Sequence, residues 1–241
     1  MASTRTVQTS RALLGGFGTR LFVHYQNNIP QDRAVLIVSN HRSFLDPILL
    51  TAALDYPIRF ACHHYMGQVP LLREMVTTLG AFPLKDSSNH PKHFFQQATQ
   101  LLQQGESVGI FPEGAEPMVK FTPPHTVGSF QRGFAHLALR ASIKNLAVLP
   151  VAIAAFEEES ISSMIPLRML SWFDPSEPLF DQSGWHPLVI YRRVNVLIGQ
   201  PYWITPQRKQ QYQGKQAKQA VLELTTYCQT QIAELLRQGC I

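Results

Sequence analysis

The sequence predicts an α/β fold: a single layered domain with a mixed, largely parallel central sheet flanked by helices, plus a short N-terminal helical element. Three observations lead there. From residue 34 onward, apolar runs of strand length alternate with stretches whose apolar residues recur at helical spacing. Breakers stand where such elements should begin and end, as with Pro91 at the start of one helical stretch and Gly105 just past its end. A histidine and a carboxylate fall where the first of these strands turns into a helix, the edge of an α/β sheet where ligands bind. At 241 residues the chain can bury one sizeable core. The division read from it is residues 1–30 as an amphipathic helical element and 31–241 as the α/β domain.

In order, Leu13, Phe17 and Leu21 recur every four residues and give the N-terminal stretch its helical stripe, although Gly15, Gly16 and Gly18 weaken it. This stretch either packs on its own domain or lies in a membrane interface. Strands are expected at 34–39, 58–62, 81–84, 107–111, 147–154 and 188–198, and helices at 48–54, 71–79, 91–103 and 130–141. Residues 157–187 break the rhythm with an acidic start, an apolar middle around Pro166 and a polar tail. That suggests a long excursion that packs on the domain or serves as a lid or membrane-facing element. A last helix from about 216 to 238 carries one apolar face, Ala217, Ala220, Val221, Leu224, Cys228, Ile232 and Leu235, and is core packing.

The net charge is +5 and the isoelectric point about 9.2, which favours an anionic partner. The basic residues are scattered and no nucleic-acid-binding signature is present, so nucleic acid is not expected as a partner. Three cysteines form neither a disulfide framework nor a metal spacing, which points to a reducing compartment. His63-His64, and His90 with His93, lack the accompanying thiols or carboxylates of a metal site, so no metal is expected. There is no signal-peptide pattern and no apolar run long enough to span a bilayer. The expectation is a cytoplasmic protein, peripheral on the inner face of a membrane.

Chemistry is first suggested by Asn40-His41-Arg42-Ser43-Phe44-Leu45-Asp46-Pro47. A histidine can take a proton from an attacking hydroxyl near neutral pH if a carboxylate fixes its tautomer. Five positions at a helix start let the chain fold Asp46 back beneath the imidazole. Asp46 has a structural reading too, as the far end of a capping box begun by Ser43, or as an N-cap followed by Pro47. The spacing alone is a weak signal. A second stretch, Phe111-Pro112-Glu113-Gly114, ends another strand with a turn, where Pro112 halts ladder pairing and Gly114 allows close backbone approach. Glu113 would then project at the same sheet edge as His41, unless it is simply a solvated turn residue.

Together these two stretches resemble the glycerolipid acyltransferase family, which includes the lysophosphatidic acid acyltransferases. Further pieces follow in the family's order. Arg59-Phe60-Ala61 leads to Gly80-Ala81-Phe82-Pro83-Leu84-Lys85, Gln131-Arg132-Gly133-Phe134 leads to Leu149-Pro150-Val151, and Val196-Leu197-Ile198-Gly199 resembles the closing strand. The likeness spans about residues 35–205, and its ordered blocks are more specific than any one of them. It implies that His41 acts as general base on an acceptor hydroxyl, oriented by Asp46, and that the hydroxyl attacks an acyl thioester directly, with no cofactor. It further implies a donor that is acyl-CoA or acyl-carrier protein, a lysolipid acceptor, and work at a membrane surface in phospholipid biosynthesis. By the same resemblance Ser43, Phe111, Pro112, Glu113 and Gly114 bind substrate.

Two departures bear on the acceptor. Many relatives continue Phe-Pro-Glu-Gly with Thr-Arg, whose arginine helps hold a phosphate; here Ala115-Glu116 follows. The second block usually closes with arginine; here it closes with Lys85-Asp86. A phosphate-bearing acceptor would then rely on Lys85, Lys120, Arg132 or Arg59, and lysine lacks the bidentate fork of arginine. Two alternatives stay open: another lysolipid acceptor, of ornithine type or a phospholipid being remodelled, and a catalytically silent lipid-binding protein of the same fold.

Overall fold

The computed structural model describes residues 2–31, 34–62, 81–83, 90–114, 123–166 and 185–239. In chain order these form α1 (Ala2–Gly16), β1 (Arg20–His24), β2 (Val35–Ser39), α2 (Asp46–Leu54), β3 (Ile58–Cys62), β4 (Phe82–Pro83), α3 (His90–Gln103), β5 (Ser107–Ile110), α4 (Gly133–Arg140), β6 (Leu146–Pro166), β7 (Trp185–Ile198), β8 (Tyr202–Ile204), α5 (Pro206–Gln211) and α6 (Ala217–Gly239). The strands make one mixed sheet in the order β1-β7-β6-β2-β5-β3-β4, with β8 pairing on β6. Pairing is parallel except where β6 meets β7 and β8. This is the mixed, largely parallel α/β sheet that the alternating pattern predicts.

β2 shows why. Its five residues are all buried, as a central parallel strand covered on both faces requires. Val35 and Ile37 face one layer with the apolar side of α2, Phe60 of β3 and Leu14 of α1. Leu36 and Val38 face the other, with Ala98 and Leu102 of α3, Phe134 and Leu137 of α4, and Val221, Leu224, Cys228 and Ile232 of α6. The sheet is thus sandwiched between two helical layers.

Two expectations are corrected. The N-terminal stretch is not helical throughout: α1 stops at Gly16, Gly18 takes φ +69°, and Arg20–His24 join the sheet as a parallel edge strand on β7. The buried stripe departs from the expected one for the same reason. Val7, Ser10 and Leu14 are the buried positions, whereas Leu13 is exposed, and Leu21 and Val23 face inward with the period of two that a strand has. Residues 157–187 are also not wholly an excursion. β6 runs on to Pro166 and β7 begins at Trp185, paired antiparallel out to Pro166–Trp185, with register shifts around Glu157. Exposed Glu157 and Glu159 lie where β6 has run past the end of β2 and continues its pairing with β7. The helix expected at 71–79 and the middle of the excursion lie outside the described residues. Among the described residues no helix is long and apolar enough to cross a membrane.

Candidate active site

β2 ends at Ser39 and the chain turns away, but Asn40 prolongs the ladder. Its side-chain amide donates to the Ile153 carbonyl (3.0 Å) and accepts from the Ile153 N–H (2.8 Å), pairing with β6 as a peptide group would. His41 therefore leaves the sheet from a fixed point. Its ring lies on Phe111, centroids 4.1 Å apart and planes 14° from parallel, and Phe111 in turn stacks on Phe60 at 5.4 Å. Gly109 in β5 makes this stack possible, because a Cβ there would come within 2.2 Å of the Phe60 ring.

Asp46 opens α2 as its first helical residue, fully buried, and its side chain points back over the loop. Oδ2 accepts from His41 Nδ1 at 2.8 Å, from the Arg42 N–H at 2.7 Å and from the Ser43 N–H at 2.9 Å. Oδ1 accepts from the Tyr191 hydroxyl at 2.7 Å. The bond to Ser43 is one half of the expected capping box. The other half is absent: Ser43 Oγ accepts from the Leu45 N–H and donates to the Val189 carbonyl of β7, and the cap position itself is held by Leu45 with no side-chain bond. The carboxylate fixes the histidine as much as it caps the helix. With Nδ1–H engaged, Nε2 presents its lone pair on the opposite edge of the ring.

Glu113 comes to the same edge, as its place after β5 predicts, with its carboxylate turned onto backbone. Oε1 accepts from the His41 N–H at 3.0 Å and Oε2 from the Gly128 N–H at 2.6 Å. Burial raises its pKa, and the two amide bonds and His41 offset this only in part. Gly114 completes the turn at φ +72°, where a Cβ would also meet the Gln131 amide at 2.7 Å. The loop is tied down again by the Gln131 N–H, which donates to the Pro112 carbonyl at 2.8 Å.

His41, Ser43, Asp46, Phe111, Pro112, Glu113 and Gly114 thus gather at one end of the sheet. The cations do not all join them. Arg132 is exposed at the N-terminus of α4, Arg59 is ion-paired with Glu106, and Lys85 and Lys120 lie outside the described residues. The sequence reading missed three contributors. Phe60 backs the ring stack, Tyr191 completes the Asp46 carboxylate, and Glu158 of β6 pairs with the buried guanidinium of Arg42. The second block contains Phe60, and the pairing of Gly109 with an aromatic on the neighbouring strand could have flagged it. Nothing local marks Tyr191 or Glu158, because they reach the motif only through the β6–β7 hairpin.

A partly buried histidine bonded to a fully buried aspartate at the carboxyl end of a parallel strand is an arrangement in which an imidazole can take a proton from a hydroxyl. The family model named Acyltransferase matches residues 20–154, and the chain belongs to that family. It is 25% identical over 165 residues to a 1-acyl-sn-glycerol-3-phosphate acyltransferase of Borreliella burgdorferi, covering 68% of this chain and 63% of that protein. It is 25% identical over 141 residues to a probable enzyme of the same name in Mycoplasma pneumoniae, covering 56% and 50%. The chain therefore spans between half and just under two thirds of the length of these relatives. The crystal structure of the lysophosphatidic acid acyltransferase PlsC of Thermotoga maritima superposes with a TM-score of 0.62 at 17% identity, covering 97% of this chain and 77% of that one, and shares its fold.

Proposed function

We propose that this chain moves a fatty acyl group from a thioester, of coenzyme A or of acyl-carrier protein, to a hydroxyl of a lysoglycerolipid, in the manner of a 1-acylglycerol-3-phosphate O-acyltransferase. The observation that carries the reading is the bond between His41 Nδ1 and an Asp46 carboxylate that also accepts from the Arg42 and Ser43 N–H groups and the Tyr191 hydroxyl. In that arrangement His41 Nε2 removes the proton of the acceptor hydroxyl as its oxygen attacks the thioester carbonyl. The carbon–sulfur bond then breaks, and the departing thiolate takes the proton back from the imidazolium. Asp46 holds the tautomer and offsets the charge that forms on the ring. Ser43, Phe111, Pro112, Glu113 and Gly114 shape the acceptor side of the site, with Lys85, Lys120 and Arg132 as the cations for an acceptor phosphate. The acceptor is a membrane lipid, so the protein works at a membrane surface, peripheral on the cytoplasmic face.

A second acceptor class is favoured by one feature, Ala115-Glu116 in place of the Thr-Arg that helps relatives hold a phosphate. A zwitterionic or amino-acid-linked lysolipid would suit an acid at that place better. Both readings are tested by incubating purified protein with labelled acyl-CoA or acyl-carrier protein and a panel of lysolipids, with His41→Ala as the blank. Transfer to lysophosphatidate supports the first reading and transfer only to other lysolipids the second. Binding without transfer to any acceptor would refute both in favour of a silent lipid-binding protein.

A further inference from the structure

We propose that Tyr191 is a positioning residue for the His41–Asp46 pair: its hydroxyl holds the Asp46 carboxylate aimed at the imidazole, and losing it changes the pH dependence of the pair. The inference rests on the acyl-transfer reading of that pair.

Tyr191 lies on β7, 145 positions from Asp46 in sequence, and is fully buried. A hydroxyl in such a place is unfavourable unless bonded, and a phenylalanine would fill the same space without that cost. The bond to Asp46 Oδ1 at 2.7 Å gives the hydroxyl its reason to be there. The two oxygens of Asp46 are held differently. Oδ2 takes three donors, all from residues 41–43, whereas Oδ1 takes the tyrosine. Losing that one donor would leave a buried anionic oxygen bare, favouring a proton on Asp46 or a tighter hold on the imidazole proton. Either change makes the pair retain its proton to higher pH.

Tyr191 is itself firmly placed. Its carbonyl accepts from the Thr19 hydroxyl at 2.8 Å, so the strand is anchored beside the ring. Burial first, then the charge and hydrogen bond of Asp46, push its pKa well above the ordinary tyrosine range, so it remains a donor at any working pH. The other charged groups facing the pair are the Arg42 guanidinium with its partner Glu158 from β6, and Glu113 from the turn after β5. Tyr191 differs from these in bonding the Asp46 carboxylate directly through a side chain other than His41.

The test compares Tyr191→Phe with the wild type and with Val194→Ala, a packing change on the same buried face of β7. Two readouts are taken: the pH dependence of acyl transfer, and the pH titration of the His41 ring by 15N NMR in the unliganded protein, assigned by its loss in His41→Ala. In Tyr191→Phe the acid limb of the rate profile and the His41 titration should both move up by about half to one pH unit. kcat near neutrality should fall about tenfold with KM within about twofold. Val194→Ala should lower Tm and leave both titrations in place. Unmoved titrations in a folded Tyr191→Phe, or equal movement in Val194→Ala, overturn the proposal. Should Tyr191→Phe fail to fold, 3,5-difluorotyrosine at 191 keeps the ring and strengthens the donor. It should move the titration down, and no movement overturns the proposal. A wild type that acylates no acceptor would sink the proposed function, while the NMR comparison would still decide what Tyr191 does.

Discussion

The two halves of the sheet meet the His41–Asp46 pair in different ways. On the parallel side, β2 and β5 are short and stop at the site, so their loops deliver the residues: His41 and Asp46 from one, Phe111 and Glu113 from the other. On the antiparallel side, β6 and β7 run past the site and deliver braces. Ile153 pairs with Asn40, Glu158 with Arg42, the Val189 carbonyl with Ser43, and Tyr191 with Asp46. The parallel strands supply the histidine, its aspartate, the stacked ring and the glutamate, and the hairpin supplies the bonds that hold them in place. A loop held at four points by one rigid ladder loses little further freedom when a reaction begins.

Substitutions on the two sides should separate these roles. His41→Ala, on the parallel side, should cost about 10³-fold or more in acyl transfer while Tm stays within a few degrees; wild-type activity in the variant would remove the base assignment. Asp46→Asn should cost about 10²–10³-fold, because an amide that presents its nitrogen to any of four donors disturbs the tautomer. Its Tm should also fall, since the same side chain ties the loop to α2; an unchanged Tm would mean that the loop is held without it. On the hairpin side, Arg42→Met strips Glu158 of its buried partner and should lower unfolding free energy by about 3–5 kcal/mol in denaturant titration. If the hairpin only braces, activity per folded molecule should fall far less than in His41→Ala.

Smaller effects probe the ring stack and the turn. Gly109→Ala drives a methyl into Phe60 and should cost about 1–3 kcal/mol, with kcat reduced through the displaced Phe111 and His41. Retained kcat would show that the stack does not position the imidazole. Glu113→Gln tests the linkage. Because burial raises the Glu113 pKa above its ordinary value of 4.5, its contribution to stability is fully present below about that pH and is lost as pH rises through the folded value. The wild type should therefore lose Tm relative to the glutamine variant as pH climbs from 4 toward neutrality. A constant difference between the two would contradict the raised pKa.

Much of the fold was legible because its signals are local. Ile58–Cys62 matches its expected strand, and α2, α3, β5 and α6 begin and end within a few residues of expectation, since periodicity and breakers act over one element's length. The failures came where one local signal masked another. Leu13, Phe17 and Leu21 look helical by spacing, yet the glycines at 15, 16 and 18 end α1 and let Leu21 and Val23 alternate in a strand. Glu157 to Glu159 look like a loop, yet pairing with β7 outweighs their low strand propensity.

The same division runs through the site. The sequence alone put a histidine and an aspartate five apart at a helix start, close enough for Asp46 either to meet the ring or to cap the helix. It also placed Glu113 just after a neighbouring strand, where it could reach that edge or stand in solvent. Only the tertiary structure decided what holds the pair. Glu113 turns to the His41 and Gly128 amides, Phe60 slides over Gly109, and Tyr191 closes on the remaining oxygen of Asp46. Those contacts span from about fifteen to well over a hundred positions and depend on strand register, and a shift of one residue in β7 would turn Tyr191 to the other face of the sheet.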